Sequence, residues 1–142
     1  MRAVIEEAGK LAPLVSIVWS EHSLEELTEI IKGYICSDES AVFAEIIDGE
    51  YAGTALCSLR HDYVEGCDMS PVGYLEGIAV REGYRHRGIA GRLEEECENW
   101  AREKGCTEFA SDCELSNTTS YDFHLAIGFQ EANRIICFKK KI

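Results

Sequence analysis

One segment constrains the fold more than any other. The apolar run Gly73–Val80 reads as a strand, and it passes through Arg85-His86-Arg87-Gly88-Ile89-Ala90 into an amphipathic helix over residues 88–104. On that helix Ile89, Leu93, Cys97 and Trp100 recur at spacings of 4, 4 and 3 and form one apolar stripe. Arg92, Glu94, Glu95, Glu98 and Arg102 lie off the stripe, so Glu94-Glu95-Glu96 reads as a solvated face. A strand that feeds a glycine-bearing turn at a helix start presents successive main-chain N–H groups and the positive end of the helix dipole, a site suited to phosphate oxygens. Gly88 permits close approach of backbone to a ligand, Ala90 keeps the next turn clear, and Arg85 and Arg87 add positive charge. The turn is not a Walker A loop, because Ile89 stands where the lysine belongs, and it lacks the G-x-G-x-x-G of a dinucleotide fold. From these residues alone, an anion site and a plain basic helix start remain equal readings.

The rest of the chain arranges itself around that unit. Ala8–Val18 is helical in pattern, and a second helix begins at Ser23, with Glu26 three residues on as a capping box and Leu27, Ile30, Ile31 and Tyr34 on one face. Ala41–Ile47 reads as a strand ending at Asp48-Gly49, a hairpin signal into Tyr51–Tyr63. Residues 64–70 with Pro71 form a loop. After the long helix, Gly105 is a stop, Cys106–Ser111 a strand, Thr118–Ile127 a helix ended by Gly128, and Ile135–Lys140 a last strand. The order αα-βββ-α-β-α-β predicts an α/β mixed sheet with helices on both faces.

At 142 residues the chain matches one compact domain, residues 1–142. Its 14 Lys and Arg against 26 Asp and Glu leave a formal net charge of −12. That balance argues against duplex nucleic acid or an anionic membrane as partner, since both need a basic face. It would concentrate a cationic substrate, and it would equally serve solubility alone. The seven cysteines, Cys36, Cys57, Cys67, Cys97, Cys106, Cys113 and Cys137, are odd in number and include no C-x-x-C pair; most sit in apolar runs. Reduced, buried thiols in a reducing cytosol are expected, with no disulfide scaffold and no metal site. Met1–Glu7 turns acidic before any apolar core of signal-peptide length, and no stretch approaches a membrane span, so a cytoplasmic location is expected.

Arg85-x-x-Gly88-x-Ala90 after a strand resembles the acyl-CoA signature Q/R-x-x-G-x-G/A of the GNAT superfamily of N-acetyltransferases. Asn117, His124 and Gly128-Phe129 fall where that superfamily often shows N-x6-Y-x3-G-F. Leu59–Gly66, Ser70–Ile78 and Ala110-Ser111-Asp112 further resemble aminoglycoside 6'-N-acetyltransferases, in particular their short, dimeric, chromosomally encoded branch. Before residue 59 the likeness rests mainly on Trp19-x-x-His22. The resemblance implies a mostly antiparallel central sheet flanked by helices, acetyl-CoA as co-substrate, an aminoglycoside as acceptor, antibiotic resistance and a homodimer. It further implies that the backbone of Ile78, Ala79 and Val80 pairs with the pantetheine arm. A strand bulge would aim the N–H of Ala79 or Val80 at the thioester carbonyl. Arg85, His86, Arg87, Gly88, Ile89, Ala90 and Gly91 would cradle the pyrophosphate, and Asn117 would touch the CoA side of the cleft.

On the acceptor side, Trp19, His22, Tyr63, Glu76 and Asp112 match positions that line the pocket of the resembled enzymes. Asn133 sits where some relatives carry a Glu. Trp19 and Tyr63 would serve equally as core or strand aromatics. Glu76 is more telling, because a carboxylate among Leu75, Gly77 and Ile78 is costly to bury without a task. An alkylammonium with a pKa of about 10 must lose a proton before it can attack a thioester. Direct attack in a ternary complex is therefore expected, with Glu76 as base or water-holder and Asp112 second. No cysteine has an obvious activating neighbour for an acyl-enzyme route. His124 stands where much of the superfamily has a tyrosine acid, and a packing role is equally open to it. Acetylation of another amine (a polyamine, a metabolite or a protein N-terminus) is the nearest rival reading, and a non-catalytic acyl-CoA-binding regulator is the rival from a different class.

Overall fold

The structure, a computed structural model, describes residues 1–142. Helix α1 spans Ala8–Val15 and α2 spans Leu24–Cys36. The predicted capping box opens α2: Ser23 Oγ accepts from the Glu26 N–H at 3.1 Å, and Glu26 Oε2 accepts from the Ser23 N–H at 2.8 Å. Strands β1 (Ser40–Ile47) and β2 (Glu50–Arg60) form the predicted hairpin. Its two turn residues, Asp48 and Gly49, have φ of 52° and 81°, the left-handed pair that a right-twisted two-residue hairpin requires.

Strand β3 (Val72–Val80) runs antiparallel to β2, and β4 (Phe109–Ala110) runs parallel to β3, giving the sheet order β1-β2-β3-β4. Helix α3 covers Ile89–Glu103 and α4 covers Thr118–Ala126. Alternation along the strands sorts the side chains into two layers. Val42, Ala44 and Leu56 meet α1 and α2, whereas Ala41, Phe43, Ala55 and Cys57 meet the Ile89-Leu93-Cys97-Trp100 stripe of α3. Leu11, Leu27, Ile31, Leu56, Ile89 and Leu93 have essentially no solvent exposure, and each stabilises the fold by roughly 1.5–3 kcal/mol.

Four expectations need correction. The last strand, Ile135–Lys140, does not form: a strand needs a ladder partner, and the sheet offers none beside this segment. Ile135, Ile136 and Phe138 are instead 64%, 81% and 90% exposed. The strand expected over Cys106–Ser111 shortens to Phe109–Ala110, because its register with β3 ends after Gly73↔Phe109 and Tyr74↔Ala110. Only Cys57, Cys97 and Cys106 are buried; Cys36, Cys113 and Cys137 are exposed, Cys137 because the apolar run that holds it has no partner. Glu94 is 5% exposed and does not belong to a solvated face. Ile127, just past the end of α4, brings its Cγ2 to 4.0 Å from the Cβ position of Gly91, one turn before Glu94. The N-terminus adds an unpredicted contact to β1: the Ala3 N–H donates to Val42 O and the Ala44 N–H to Met1 O, both at 2.8 Å.

Burial, reinforced by the neighbouring Glu98, pushes the Glu94 carboxyl up to about 8. The folded protein then holds a proton that the unfolded chain has released above its ordinary value of 4.5. The contribution to stability is full below that value and is lost as pH rises towards about 8. Glu94→Gln should therefore melt ~5 °C higher than the parent at pH 8 and at about the same temperature at pH 4.5, read by thermal denaturation at both pH values.

Candidate active site

The site is built on a break in the β2–β3 ladder. Cys57 faces Leu75 and Leu56 faces Gly77, so Glu76 has no partner across the ladder and forms a bulge. Before it, Leu75 packs on the α3 side; after it, Ile78 and Val80 return to that side. Gly77 thus faces the α1–α2 layer, where a Cβ on it would lie 3.3 Å from Trp19 Cζ2. The glycine lets the Trp19 indole lie against the strand next to Glu76.

Glu76 does not stand free. Its Oε1 accepts from Ser58 Oγ at 2.6 Å and from Arg60 Nε at 3.0 Å, and its Oε2 accepts from Arg60 Nη2 at 2.8 Å. The Arg60 guanidinium lies 3.5 Å from the centroid of the Tyr74 ring, and the Tyr74 hydroxyl donates to Asp112 Oδ2. Glu76 and Asp112 are therefore joined through one arginine and one tyrosine. Burial and the bond to Asp112 push the Tyr74 phenol well above its ordinary range. Burial and the nearby Glu76 push Tyr34, which packs beside Trp19, up to about 12. Both phenols thus stay neutral at physiological pH and keep their hydroxyl protons to donate.

The remaining acceptor-side residues are dispersed. His22 sits just before α2 between Glu21 and Glu26, at 3.5 and 3.6 Å, and bonds to no member of the Glu76 network. Tyr63 is 79% exposed on the loop after β2, where Glu65 raises its phenol pKa through charge and a hydrogen bond. Asn133 donates to Glu65 Oε1 at 2.7 Å, so Tyr63 and Asn133 meet through Glu65 and not through Glu76.

On the other side of the bulge, β3 and β4 part after Tyr74↔Ala110, and one edge of β3 from Glu76 to Val80 has no strand beside it. The strand does bulge, as the resemblance implies, and the break falls at Glu76; Ala79 and Val80 beyond it keep regular register with Thr54 and Gly53. Ile78 and Val80 hold their alternation into the core beyond the break at the Glu-Gly pair.

The turn beyond β3 is tightly held. His86 and Gly88 have φ of 61° and 73°, both left-handed. Gly88 caps α3 without a side chain, so the N–H groups of the first turn keep their donor capacity, and no acidic residue lies in that turn. Arg92 Nη1 donates to Arg87 O at 3.0 Å while its Nη2 and Nε reach Glu45 Oε1 and Oε2 at 2.6 and 3.2 Å, strapping the turn to β1. Arg85 Nε donates to Val80 O at 3.2 Å, which ties the turn back to the free strand edge. Ile89 is buried as the first residue of the core stripe; Ala90 and Gly91 are half-buried behind it.

Asn117 caps α4, its Oδ1 accepting from the Ser120 N–H at 3.1 Å, and its Nδ2 has no bond within the chain. His124 is anchored at both ring nitrogens. Nδ1 lies 2.6 Å from Ser120 O and Nε2 lies 2.8 Å from Ser111 Oγ, with Phe123 and Phe129 packed on the ring. A neutral imidazole that donates from Nδ1 and accepts at Nε2 satisfies both contacts. Ser58, Arg60 and Tyr74 escaped the sequence reading, although Ser58-x-Arg60 and Tyr74-x-Glu76 alternate on adjacent strands and Ser58 pairs with Tyr74 in register. No group of three or more His, Cys, Asp or Glu is placed to hold a metal ion.

The acetyltransferase (GNAT) family matches residues 5–129. Aminoglycoside N(6')-acetyltransferase type 1 of Salmonella typhimurium is 46% identical over 105 residues, 74% of this chain and 72% of that protein. Among solved structures, aminoglycoside N-acetyltransferase AAC(6')-Iy in complex with CoA superposes with a TM-score of 0.95 at 36% identity, over 99% of this chain and 93% of that one. The same enzyme in complex with the bisubstrate analog CoA-S-monomethyl-acetylneamine gives a TM-score of 0.91 at 36% identity, over 100% and 97%.

Proposed function

The chain belongs to the GNAT acetyltransferase family, and from that premise we propose that it transfers the acetyl group of acetyl-CoA to the 6'-amino group of an aminoglycoside. The observation that carries the reading is the bulge at Glu76. It sets a held carboxylate beside an indole on one side of β3 and leaves the far edge of the same strand free. A relative of the same shape has been solved with a molecule that joins CoA to an acetylated aminoglycoside fragment.

The residues present fit a CoA thioester. A diphosphate needs clustered N–H donors and positive charge, and the turn from Arg85 to Gly91 supplies both, with no carboxylate inside it. The free edge at Ile78, Ala79 and Val80 supplies main-chain groups for an extended arm, and Asn117 Nδ2 is a spare donor nearby in sequence to α4. When bound, the thioester supplies an activated acetyl carbonyl. On the acceptor side, Trp19 offers a face to a sugar ring, while Glu76 and Asp112 draw a polycationic substrate into a chain that already carries a net charge of −12. His22, Tyr63 and Asn133 would touch outer rings of the acceptor.

Glu76 already accepts three hydrogen bonds, so its role is to hold the nitrogen or a water in line. Asp112, bonded to the Tyr74 hydroxyl, is the second carboxylate that a proton from the ammonium can reach. His124, with both nitrogens engaged, supports the wall of the cleft. The direct test compares kcat/KM on kanamycin, spermidine and a peptide with a free N-terminus. Kanamycin should be preferred by at least about tenfold, and a higher value for either rival would reassign the acceptor.

A valine at residue 88 would place a β-branched side chain at φ 73°, a strain of about 1–2 kcal/mol, and would stand among the donors of the turn. Gly88→Val should weaken CoA binding at least about tenfold by calorimetry while the KM for kanamycin changes little. Undiminished CoA affinity in a variant that melts cooperatively would refute the role given to the turn.

One domain over residues 1–142 and a homodimer complete the proposal. The unpaired, apolar Ile135–Phe138 needs cover, and a second copy of this sheet is the partner whose edge it can join. The free state of all seven cysteines is in keeping with a reducing, cytoplasmic setting. Light scattering should give about twice the chain mass of 15.9 kDa, and removal of residues 135–142 should halve it.

A further inference from the structure

We propose that Arg60 is a positioning residue for acetyl transfer, a built-in counter-cation that keeps Glu76 aligned and prevents it from trapping the substrate as an ammonium ion. The inference rests on the acetyl-transfer reading above. Its basis is the geometry of a single side chain. Arg60 presents its fork to both oxygens of Glu76, at 3.0 and 2.8 Å, and lays its plane 3.5 Å from the centroid of Tyr74, whose hydroxyl holds Asp112. Bidentate pairing and stacking together fix the guanidinium in one orientation. Ser58 closes the arrangement with a 2.6 Å bond to Glu76 Oε1.

The chemistry of the acceptor gives this arrangement a task. A bare carboxylate attracts an ammonium ion and, by the same attraction, holds it in the protonated form that cannot attack. The more strongly Glu76 binds the cation, the harder the proton is to remove. Arg60 compensates most of that charge and leaves the unused lone pair of Oε2 as a directional acceptor. The nitrogen is thereby aligned without being locked as an ion pair. Affinity for the rest of the molecule then falls to the aromatic faces and to the acidic charge of the chain as a whole.

Removing the charge of Arg60 should therefore tighten binding and slow turnover together, a combination that loss of a merely structural residue does not produce. In Arg60→Gln, the KM for kanamycin should fall about threefold to tenfold while kcat falls about 10- to 100-fold. In Arg60→Lys, which keeps the charge but loses the fork, KM should stay within about twofold of the parent and kcat should fall by an intermediate factor. Steady-state kinetics with acetyl-CoA and kanamycin, alongside thermal melts of each variant, read these changes. An Arg60→Gln variant whose KM is unchanged or raised overturns the assignment. If Arg60→Gln does not melt cooperatively, Arg60→Lys decides: unchanged kcat overturns the assignment, and a lowered kcat at constant KM supports it. A parent protein that acetylates none of kanamycin, spermidine and the peptide removes the acetyl-transfer reading itself, and the assignment with it; an active parent with an indifferent Arg60→Gln removes the assignment alone.

Discussion

Everything in the cleft depends on one interruption of a hydrogen-bonded ladder. A regular β3 would point Glu76 and Gly77 to opposite layers, placing the glycine in the α3 core and leaving Trp19 no room at the strand. Because Glu76 is unpaired across from Leu56 and Cys57, both residues turn to the α1–α2 layer, and Ile78 and Val80 still reach the core beyond them. The same strand loses its other neighbour after Tyr74↔Ala110. One short stretch of backbone thus has a carboxylate on its face and an open edge at its side, so two ligands can meet across a single strand.

What could be read in the sequence was local. The Ser23/Glu26 capping box, the Asp48-Gly49 turn, the Ile89-Leu93-Cys97-Trp100 stripe and the glycines at 88, 105 and 128 all encode their conformation within a few residues, and each appears as expected. What failed was decided by distant partners. Glu94 looks solvent-facing on an isolated helix, yet the folded chain leaves it 5% exposed. Ile135–Lys140 has the composition of a strand but no ladder to join within one copy. The place of the bulge, at Glu76, could not be read because register is a property of two strands, visible in neither one alone.

The candidate site divides in the same way. Glu76, Asp112, Trp19 and the turn from Arg85 to Gly91 were legible as residues, through the cost of burying a carboxylate and through likeness to known motifs. Their connections were not. Arg60 and Tyr74 belong to the site only because Ser58 pairs with Tyr74, which lays Arg60 along Glu76. In a chain with 26 acidic and 14 basic residues, the acidic groups set the long-range attraction for cations. The few arginines decide where that attraction is cancelled.

The strap from Arg92 to Glu45 and Arg87 has a kinetic consequence. Between its left-handed residues at 86 and 88 and this three-point anchor, the turn has little freedom left to surrender to a ligand. On the proposed role of the turn, capture of the nucleotide end is governed by encounter and not by rearrangement.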